Sequence, residues 1–535
     1  MKRTIKNPIL SGFYPDPSIC RAGEDFYLVT STFAYFPGIP VFHSKDLFRW
    51  NQIGNAIDRP GQLNFDEHQI SQGLFAPTIR ENKGTFYILC TLIKNGGNFI
   101  ITAKNPEGPW SDPIWLKGAD GIDPSIFFDD NGKIWYCGTH AAPEGEAYSG
   151  NYEIFIHEID LSLLSEGKNP LIGKCAGIWR GALRDVIWPE GPHIYKINGT
   201  YYLLHAEGGT GLDHAVCIAR AKDIKGPWEG KKSNPILTHR HLGKNADIIN
   251  AGHADLFDDT DGNWWMVCLA SRPVEDVCPL GRETFLVPIV WDNGWIFVAS
   301  KSGMIEKQIE INSDKSRYNE WNNETCCDHF NGKLPLHYLV LRMPVNEKDA
   351  AFSLTERKGA LRLFTRPETL REKKHCAFAG RRIKHFNWTF SALIDFTPAS
   401  QDESAGIVLL QSEDYQFRFE KYLNSDNKLS LKIVLVCGDC ENIVSANEDL
   451  ELSISVCDEN PLVLAAICDN MKINFYYGKD QYSLACFGKS YDSRFLSTEY
   501  AGGFVGSLAG VYATGNGKNI NNFADVLWTE YRGLE

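Results

Sequence analysis

Five short stretches in the first 300 residues repeat one pattern, and this repeat limits the fold more than any other feature. Each stretch has a glycine, a short polar step and then a run of aromatic and β-branched residues, which favour strands. The stretches are GEDFYLVT, GTFYILC, GKIWYCG, GTYYLLH and GNWWMVC, which begin at Gly23, Gly84, Gly132, Gly199 and Gly262. Their spacing is somewhat longer than the repeat of about 40–50 residues that builds four-stranded blades. With no sustained helical periodicity between them, the repeats predict a five-bladed β-propeller.

A second motif, marked by proline or glycine, lies seven to nine residues before each of these glycines. The five motifs, in chain order, are YPDPS with Asp16, LFAPT with Phe75, GIDPS with Asp123, PEGPH with Glu190 and AGHAD with His253. In a propeller the innermost strand of each blade lines the central channel, so equivalent positions of the repeat converge on one axis. We therefore expect these five side chains to meet at a shared centre.

Asp16 stands between Pro15 and Pro17, and this setting restricts its backbone. Proline fixes its own φ and moves the residue before it toward extended geometry, so we expect an extended Asp16 with little backbone freedom. On this interpretation the two prolines direct the carboxylate of Asp16 toward the shared centre. The alternative is a simple turn that starts a strand, which is what a single Asp-Pro pair usually marks.

Three carboxyl groups, those of Asp16, Asp123 and Glu190, occupy equivalent positions of the repeat. Folding alone does not explain them, because each ionised group taken out of water costs several kcal/mol. Sugar hydrolysis uses such groups: one carboxylic acid donates a proton to the leaving oxygen, and one carboxylate activates water. A third carboxylate close to the donor raises the donor's pKa. Blades one and four lie on roughly opposite sides of the ring, which leaves room for the separation of about 6.5–9.5 Å that inversion requires.

Composition excludes several other classes of function. The chain of 535 residues carries a formal net charge of −13, and such a surface attracts neither nucleic acid nor an anionic membrane. The sequence shows no long apolar run typical of a membrane span, and its first residues lack the apolar core of a secretory signal. The 15 cysteines are scattered and odd in number, as in reduced cytosolic proteins. We therefore expect a cytoplasmic protein that acts on a small, neutral oligosaccharide.

The propeller repeat ends near residue 310, so we expect a second domain. The polar stretch EINSDKSRYNEWNNET indicates a linker, predicted at 311–327, between a propeller at 1–310 and a second domain at 328–535. In the second domain, segments such as WTFSALIDF and YQFRFEKY alternate with a period of two and are joined by short turns. This pattern predicts an antiparallel β-sandwich. The predicted fold class is therefore all-β, a five-bladed β-propeller followed by a β-sandwich.

The motifs YPDPS, GIDPSIFFDDNGK, PEGPHIY, GHADLF and LGRETFL occur in this order along the predicted blades. Together they closely resemble the β-xylosidase and α-L-arabinofuranosidase members of glycoside hydrolase family 43, whose members of this length carry a concanavalin A-like, jelly-roll sandwich. The resemblance implies an inverting mechanism. It also implies that Asp16 is the general base, that Glu190 is the general acid, and that Asp123 tunes the pKa of the acid and orients it.

The resemblance also implies a set of substrate-binding residues. Arg282 matches an arginine that binds sugar hydroxyls in the non-reducing-end subsite, and Phe33 matches an aromatic wall of the pocket. Phe75 stands where many xylosidases of the family have tryptophan, so both xylosides and arabinosides stay open as substrates. Thr210, in the stretch HAEGGT, is expected to help line the pocket. Phe504 matches a sandwich loop that closes the pocket mouth, which implies exo action on short chains.

His253 matches an axial histidine beneath the site, which in some family members contacts a bound calcium ion or a water. We expect no cofactor to be required for the chemistry, and His253 is the residue to which the resemblance assigns a structural calcium ion on the axis. A catalytic metal is not expected there, because no second histidine or cysteine lies at ligand spacing. The alternative is a core histidine satisfied by hydrogen bonds. The resemblance further implies a homo-oligomer.

The sequence therefore predicts an exo-acting, inverting β-xylosidase (xylan 1,4-β-xylosidase) that releases terminal non-reducing xylose from xylo-oligosaccharides. One alternative is an α-L-arabinofuranosidase, or a dual xylosidase and arabinofuranosidase, because both pentoses present similar hydroxyl geometry. A second alternative is a propeller that binds sugar without catalysis.

Overall fold

The computed structural model describes residues 2–182, 185–312, 325–446 and 461–534. Five sheets of four or five strands come first in the chain, and two eight-stranded sheets follow. The first strand of each of the five sheets contacts the first strand of the next sheet, and that of the fifth contacts that of the first. The five sheets are thus the blades of a closed propeller with their first strands around the axis, which confirms the predicted fold.

Within each blade the strands pair as antiparallel neighbours in chain order, except that the last strand of blade IV pairs with the third strand, beside the fourth. Blade I consists of Ser18–Ala22, Asp25–Val29, Gly38–Ser44 and Asn51–Ile57. Blade II consists of Thr78–Asn82, Thr85–Leu92, Gly97–Ala103 and Ile114–Trp115. Blade III consists of Ile122–Phe128, Ile134–Ala141, Tyr152–Ile159 and Leu171–Trp179. Blade IV consists of Glu190–Ile197, Thr200–Glu207, Ala215–Ala221, Glu229–Gly230 and Leu237–Thr238. Blade V consists of Ile249–Asp258, Trp264–Ser271, Glu283–Asp292 and Trp295–Val298.

The five repeat glycines lie in the turn between the first and second strands of each blade, as the pattern predicts. All of them have φ between 65° and 86°, in the left-handed region that glycine adopts without the strain of a Cβ atom. These turns define where each first strand ends and the second strand begins. The residue at the start of that strand therefore occupies an equivalent place in every blade.

The amino-terminal segment closes the ring. Lys2–Lys6 pairs antiparallel with Gln308–Asn312, which follows blade V. Leu10 forms a bridge with Thr284 in blade V, and the amide of Ile9 donates to the Thr284 carbonyl at 2.9 Å. The chain therefore enters blade I from a segment that is already fixed on the last blade.

The second domain is a β-sandwich of two sheets. One sheet contains Phe352–Ser353, Leu361–Phe364, Phe523–Gly533, Trp388–Asp395, Leu462–Asp469, Lys472–Gly478, Ala485–Asp492 and, paired beside Phe523–Gly533, Thr325–Asp328. The other contains Cys440–Ala446, Leu429–Cys437, Tyr415–Leu423, Ser404–Ser412, Leu508–Thr514, Phe378–Arg382, Tyr338–Leu341 and Tyr35–Phe36. The predicted sandwich is confirmed. The predicted linker, 311–327, falls mainly on residues 313–324, which lie outside the described residues.

The two domains share a sheet and a core. Tyr35–Phe36 belongs to the propeller part of the chain, yet it pairs with Tyr338–Leu341 as the edge strand of a sandwich sheet. Phe33 packs in one buried cluster with Val408 and Tyr512 of the sandwich. The sandwich is therefore fixed directly beside the segment of blade I that supplies Phe33.

Helices are few and short in the described parts of the chain. Their bounds are Thr498–Ala501 for the α-helix and Leu161–Glu166, Arg240–Leu242, Ala299–Lys301, Glu347–Asp349 and Arg494–Leu496 for the 3-10 helices. None of these helices has the length and the apolar composition needed to cross a lipid bilayer.

Candidate active site

Asp16, Phe75, Asp123 and Glu190 lie within three residues of the start of the first strands of blades I to IV, whereas His253 lies inside the first strand of blade V, Ile249–Asp258. Nδ1 of His253 is 3.8 Å from Oδ1 of Asp16. The amide of Gly191, directly after Glu190, donates to Oδ2 of Asp123 at 2.9 Å. The structure therefore brings together the three carboxyl groups that the repeat predicts to converge.

A local distortion of the backbone turns these side chains toward the axis. The pairing of the first two strands shifts register in blades III, IV and V, close to Asp123, Glu190 and His253. Asp123 and His253 have φ of 55° and 43°, and Gly191, directly after Glu190, has φ of 57°. A β-bulge re-aims a side chain without ending the strand. The same device therefore recurs in three blades, each time at a motif residue.

The predicted extended backbone of Asp16 is wrong. Asp16 has φ of 54°, in the left-handed region, although a proline follows it. Aspartate is among the residues that tolerate this region, and hydrogen bonds to both oxygens of its carboxylate hold it there. The Ser31 hydroxyl donates to Oδ2 at 2.6 Å, and Nη1 of Arg282 donates to Oδ1 at 3.0 Å. Tertiary contacts thus override the usual preference of a residue that precedes proline.

The carboxylate of Asp16 is buried, but its neighbours favour the ionised form. Burial would raise its pKa, yet the Arg282 guanidinium, helped by the nearby His253, lowers the pKa below its usual value. The Ser31 hydrogen bond lowers the pKa of Asp16 further. Sequence reasoning missed Ser31. Its only signal in the sequence is the polar run TST directly after a strand, and the structure shows that this run is buried.

Side chains of blade III hold the chain on both sides of Glu190. The hydrogen bonds run from Thr139 Oγ1 to the Pro189 carbonyl at 2.6 Å, from the Gly191 amide to Asp123 Oδ2 at 2.9 Å, and from Ser125 Oγ to the Pro192 carbonyl at 2.6 Å. Asp123 is thus tied to the backbone directly after Glu190. Sequence reasoning singled out neither Thr139 nor Ser125, although Ser125 is the last residue of the motif GIDPS.

The environment of Glu190 favours its protonated form. Burial raises the pKa of Glu190 well above its usual value, and the charges of Asp123 and Asp16 raise it further. Burial also raises the pKa of Asp123, which the nearby His253 offsets only in part. A carboxyl group with a raised pKa stays protonated closer to neutral pH, so Glu190 can donate a proton where Asp16 cannot. The site therefore pairs a proton donor with an ionised carboxylate.

Three phenylalanine rings form a wall beside the carboxyl groups. Phe33 and Phe504 are stacked, with ring centroids 6.2 Å apart and 17° between their planes. Phe75 meets both rings edge to face, at 5.7 Å from Phe33 and 5.9 Å from Phe504. Phe33 is 1% exposed whereas Phe504 is 36% exposed, so Phe504 offers the larger free surface to a ligand. Because Phe504 comes from the sandwich, both domains build this wall.

Arg282 connects the carboxylate of Asp16 to the aromatic wall. Its Nη1 also donates to Thr210 Oγ1 at 3.2 Å, and its Nη2 donates to the carbonyl of Phe504 at 3.3 Å. The guanidinium carbon lies 5.8 Å from the ring centroid of Phe33 and 5.4 Å from that of Phe504, within the range of cation–π contacts. Arg282 and Thr210 therefore lie where the sequence predicts binding residues.

The surroundings of His253 do not suit a calcium ion held by the protein. Calcium takes about six to eight oxygen ligands, whereas His253 offers an imidazole nitrogen. The neighbouring carboxylate of Asp16 already bonds Arg282. Within the described ranges of the chain, the groups of three ligating side chains do not include His253. The imidazole ring of His253 instead packs against Gly191. A Cβ atom at position 191 would lie 3.0 Å from the ring.

A buried ion pair of the sandwich positions the propeller loop that meets Phe504. Arg342 and Glu413 are bonded to each other in the interior. Oε1 of Glu413 also accepts the amide of Ile70 in the propeller at 2.9 Å. Next along the chain, the hydroxyl of Ser71 accepts a hydrogen bond from the amide of Phe504 at 3.0 Å. The ion pair, the propeller loop and the aromatic wall are therefore connected.

Comparison with known proteins agrees with this architecture. Residues 5–296 match Glycosyl hydrolases family 43, and residues 327–532 match the Beta xylosidase C-terminal Concanavalin A-like domain. A xylosidase/arabinosidase of Butyrivibrio fibrisolvens is 43% identical over 98% of this chain and 98% of its own. A non-reducing end alpha-L-arabinofuranosidase of Bacteroides ovatus is 36% identical over 100% of this chain and 96% of its own.

The similarity extends to solved structures. The crystal structure of a xylan beta-1,4-xylosidase from Bacillus halodurans has 29% identity and a TM-score of 0.88, over 99% of this chain and 100% of that chain. The propeller match spans every blade that supplies a motif residue, and the sandwich match spans Phe504. This chain therefore belongs to glycosyl hydrolase family 43.

Proposed function

We propose that this protein is an exo-acting, inverting β-xylosidase, which removes terminal non-reducing xylose from xylo-oligosaccharides. The observation that carries the proposal is the opposite shift of two carboxyl groups in one site: the pKa of Asp16 is lowered and the pKa of Glu190 is raised. Neighbouring carboxyl groups whose pKa values are pushed apart identify the base and the acid of a glycosidase. In this proposal Asp16 is the general base and Glu190 is the general acid.

In the proposed reaction a water molecule held by Asp16 attacks the anomeric carbon of the terminal sugar. Asp16 accepts a proton from that water while the water oxygen forms its bond to the anomeric carbon. Glu190 donates its proton to the glycosidic oxygen, whose bond to the anomeric carbon breaks, and the shortened sugar leaves as an alcohol. Proton exchange with solvent then restores both carboxyl groups. The chemistry uses carboxyl groups and water, with no cofactor.

Asp123 supports Glu190 in two ways in this proposal. Its negative charge raises the pKa of Glu190, and its hydrogen bond to the Gly191 amide fixes the backbone beside the acid. Both effects favour an acid that is protonated and correctly placed when the sugar binds.

The wall of Phe33, Phe75 and Phe504 supports exo action. Aromatic rings suit the apolar face of a pentose, and the Arg282 guanidinium beside them supplies donors for sugar hydroxyls. Phe504 is held on both sides, by the Ser71 hydroxyl at its amide and by Arg282 at its carbonyl. We infer that this wall ends the pocket and that the sugar enters with its non-reducing end first.

An α-L-arabinofuranosidase, or a dual enzyme, is the second candidate. Two similar relatives have arabinosidase or arabinofuranosidase in their names, and Phe75 offers the sugar a smaller ring than tryptophan would. Paired assays of the purified protein with nitrophenyl β-D-xylopyranoside and nitrophenyl α-L-arabinofuranoside separate the two candidates. A higher kcat/KM on the xyloside supports our proposal, and a higher kcat/KM on the arabinofuranoside supports the alternative. Hydrolysis of neither substrate would indicate a propeller that only binds sugar.

Two further measurements test the mechanism. Proton NMR of the first-formed anomer distinguishes inversion from retention, which needs carboxyl groups only about 5–5.5 Å apart. Asp16→Asn and Glu190→Gln should each lower kcat at least about 100-fold, the usual contribution of a general base or acid. A homo-oligomeric state and a cytoplasmic location are also part of the proposal, and light scattering coupled to size-exclusion chromatography tests the first.

A further inference from the structure

Three side chains that the proposed glycosidase chemistry does not use converge in the sandwich domain. Sγ of Cys326 is 3.2 Å from Oδ1 of Asp328 and 4.0 Å from Nε2 of His337. Nε2 of His337 is in turn 2.9 Å from Oδ2 of Asp328. A sulfur, a carboxylate and an imidazole nitrogen therefore face one small volume, and all three are groups that bind transition metals.

The distances between these atoms are close to those of a tetrahedral zinc centre. A zinc–sulfur bond of about 2.3 Å, with zinc–nitrogen and zinc–oxygen bonds of about 2.0–2.2 Å, places pairs of ligand atoms about 3.4–3.6 Å apart. The separation of 4.0 Å between Sγ of Cys326 and Nε2 of His337 exceeds that range by about half an ångström. These two atoms lie beside different oxygens of Asp328, and with one ligand atom from each residue the three atoms lie within 4.8 Å of one another. Small side-chain rotations are therefore enough to place all three ligands around one ion.

The local charges also permit a divalent cation. Asp328 is buried, and Nη1 of Arg381 lies 3.7 Å from its Oδ2. Binding of Zn²⁺ releases the thiol proton of Cys326, and the ion, the thiolate and the carboxylate then form a neutral group beside Arg381 rather than a second positive charge. Cys326 and His337 are partly exposed, which gives an ion a route from solvent and leaves room for a water ligand. The combination of thiolate and imidazole favours zinc over magnesium or calcium.

The cluster lies between the two sheets at the beginning of the sandwich domain. Thr325–Asp328 belongs to one sheet, whereas His337 directly precedes Tyr338–Leu341 of the other sheet. Tyr338–Leu341 also pairs with the propeller segment Tyr35–Phe36. An ion held by these residues would join the two sheets next to the strand that connects the domains.

We propose that Cys326, Asp328 and His337 form a zinc-binding site, with a water molecule as the fourth ligand, that ties the two sheets of the sandwich together. The ion stabilises the sandwich domain and takes no part in glycoside hydrolysis. Because the protein supplies three ligands rather than the four of a closed structural site, the ion is exchangeable and a chelator removes it.

Metal titration of the full-length protein, first stripped with a chelator, tests this proposal. Wild-type protein should bind Zn²⁺ and unfold at a higher temperature, and Co²⁺ should give the visible absorption of a tetrahedral site with a thiolate-to-cobalt charge-transfer band. Cys326→Ser should lose that band. In Cys326→Ser and His337→Gln the affinity for Zn²⁺ should fall by more than about tenfold, since even changes outside the ligand set often cost that much.

Cys327→Ser and His329→Gln are the matched controls. Sγ of Cys327 lies 3.7 Å from Nε2 of His329, and successive side chains of an extended chain alternate in direction, so this pair is expected on the opposite side from Cys326 and Asp328. Both control variants should bind Zn²⁺ as the wild type does. Near-UV circular dichroism of each stripped variant checks that it is folded.

The comparison between variants also separates this site from others. The buried group of His205, Glu207 and Cys217 is unchanged in all four variants, so any ion bound there contributes equally. The proposal is overturned if Zn²⁺ does not raise the melting temperature of the stripped wild type. It is also overturned if ligand and control variants bind Zn²⁺ equally, or if the cobalt charge-transfer band persists in Cys326→Ser.

Discussion

The hydroxyl of Ser31 donates a hydrogen bond of 2.6 Å to Oδ2 of Asp16, while Arg282 binds the other carboxylate oxygen. Ser31 and Asp16 are both buried, so bulk water does not compete for this hydrogen bond. The hydrogen bond favours the ionised carboxylate and lowers the pKa of Asp16. Ser31 therefore positions the proposed base and helps to keep it ionised.

We expect Ser31→Ala to lower kcat/KM by about 10- to 100-fold, because a hydrogen bond to a charged group contributes about 1.5–3 kcal/mol. The pKa of Asp16 should rise without this bond. Since the base acts only when ionised, the acid limb of the kcat/KM profile should move to higher pH. Thr30→Val is the matched control, because the buried Thr30 hydroxyl has no hydrogen-bond partner among the described residues. An acid limb that stays in place in Ser31→Ala would contradict the positioning role.

The charge of Asp123 leads to a prediction for the basic limb of the same profile. Burial raises the pKa of Glu190, and the charge of Asp123 raises it further. Asp123→Asn removes that charge but keeps an oxygen to accept the Gly191 amide. The pKa of Glu190 should then fall, and because a general acid acts only when protonated, activity should be lost at lower pH than in the wild type.

Asp130→Asn is the control for this prediction. Asp130 is an exposed acid that follows the same strand of blade III, and it pairs with Lys196 outside the site. Asp130→Asn changes the net charge of the protein by the same amount as Asp123→Asn. The kcat/KM profile of Asp130→Asn should match that of the wild type, and an equal shift of the basic limb in both variants would refute the specific role of Asp123.

The blades could be predicted from the sequence because their signals are local. A glycine turn such as that at Gly132 and the motif that holds Asp123 lie within one strand and its hairpin, so adjacent residues encode both. Because the pattern repeats, the three carboxyl groups could be assigned to equivalent positions of successive blades. The alternating segments of the sandwich were recognised for the same reason, since the period of two is a property of each strand by itself.

The remaining features depend on partners that are distant in the sequence. The carboxylate of Asp16 is bound by Arg282, 266 residues away, and this tertiary contact helps to override the local preference before proline. Arg342 binds the carbonyl of His68, 274 residues away. A single serine or arginine carries no pattern, so neither Ser31 nor Arg342 could be singled out before the fold brought its partner close.

The exposed ring of Phe504 gives a prediction about substrate binding. Phe504→Ala should raise KM by about two- to tenfold, the value of an aromatic contact of about 0.5–1.5 kcal/mol, and should change kcat little. The ring does not bond the carboxyl groups, so its loss removes binding that is equal in the ground state and the transition state. Phe523→Ala is the control, because Phe523 is a comparably exposed ring on the other sheet of the sandwich. A large fall in kcat with unchanged KM would contradict this role.

The buried pair of Arg342 and Glu413 gives a prediction about how the sandwich supports the site. Arg342→Met leaves the carboxyl group of Glu413 buried without its cation, and breaking a buried ion pair costs about 3–5 kcal/mol of unfolding free energy. Because Glu413 also holds the amide of Ile70 beside Ser71, the variant should bind substrate more weakly, with a raised KM. Urea unfolding and steady-state kinetics measure the two effects.

A double variant separates the ion pair from simple loss of packing. In Arg342→Met with Glu413→Gln no unpaired charge is left, so the double variant should be more stable than Arg342→Met alone. Arg220→Met is the control for removing an arginine, because its pairing with Glu229 is largely exposed and such pairs contribute little. If Arg342→Met and Arg220→Met lose the same stability, the buried pair contributes no more to folding than an exposed pair, and the predicted loss is wrong. If Arg342→Met loses stability while KM is unchanged, the aromatic wall keeps its place without the ion pair. That result would refute the inference that Glu413 positions Phe504 through Ile70 and Ser71.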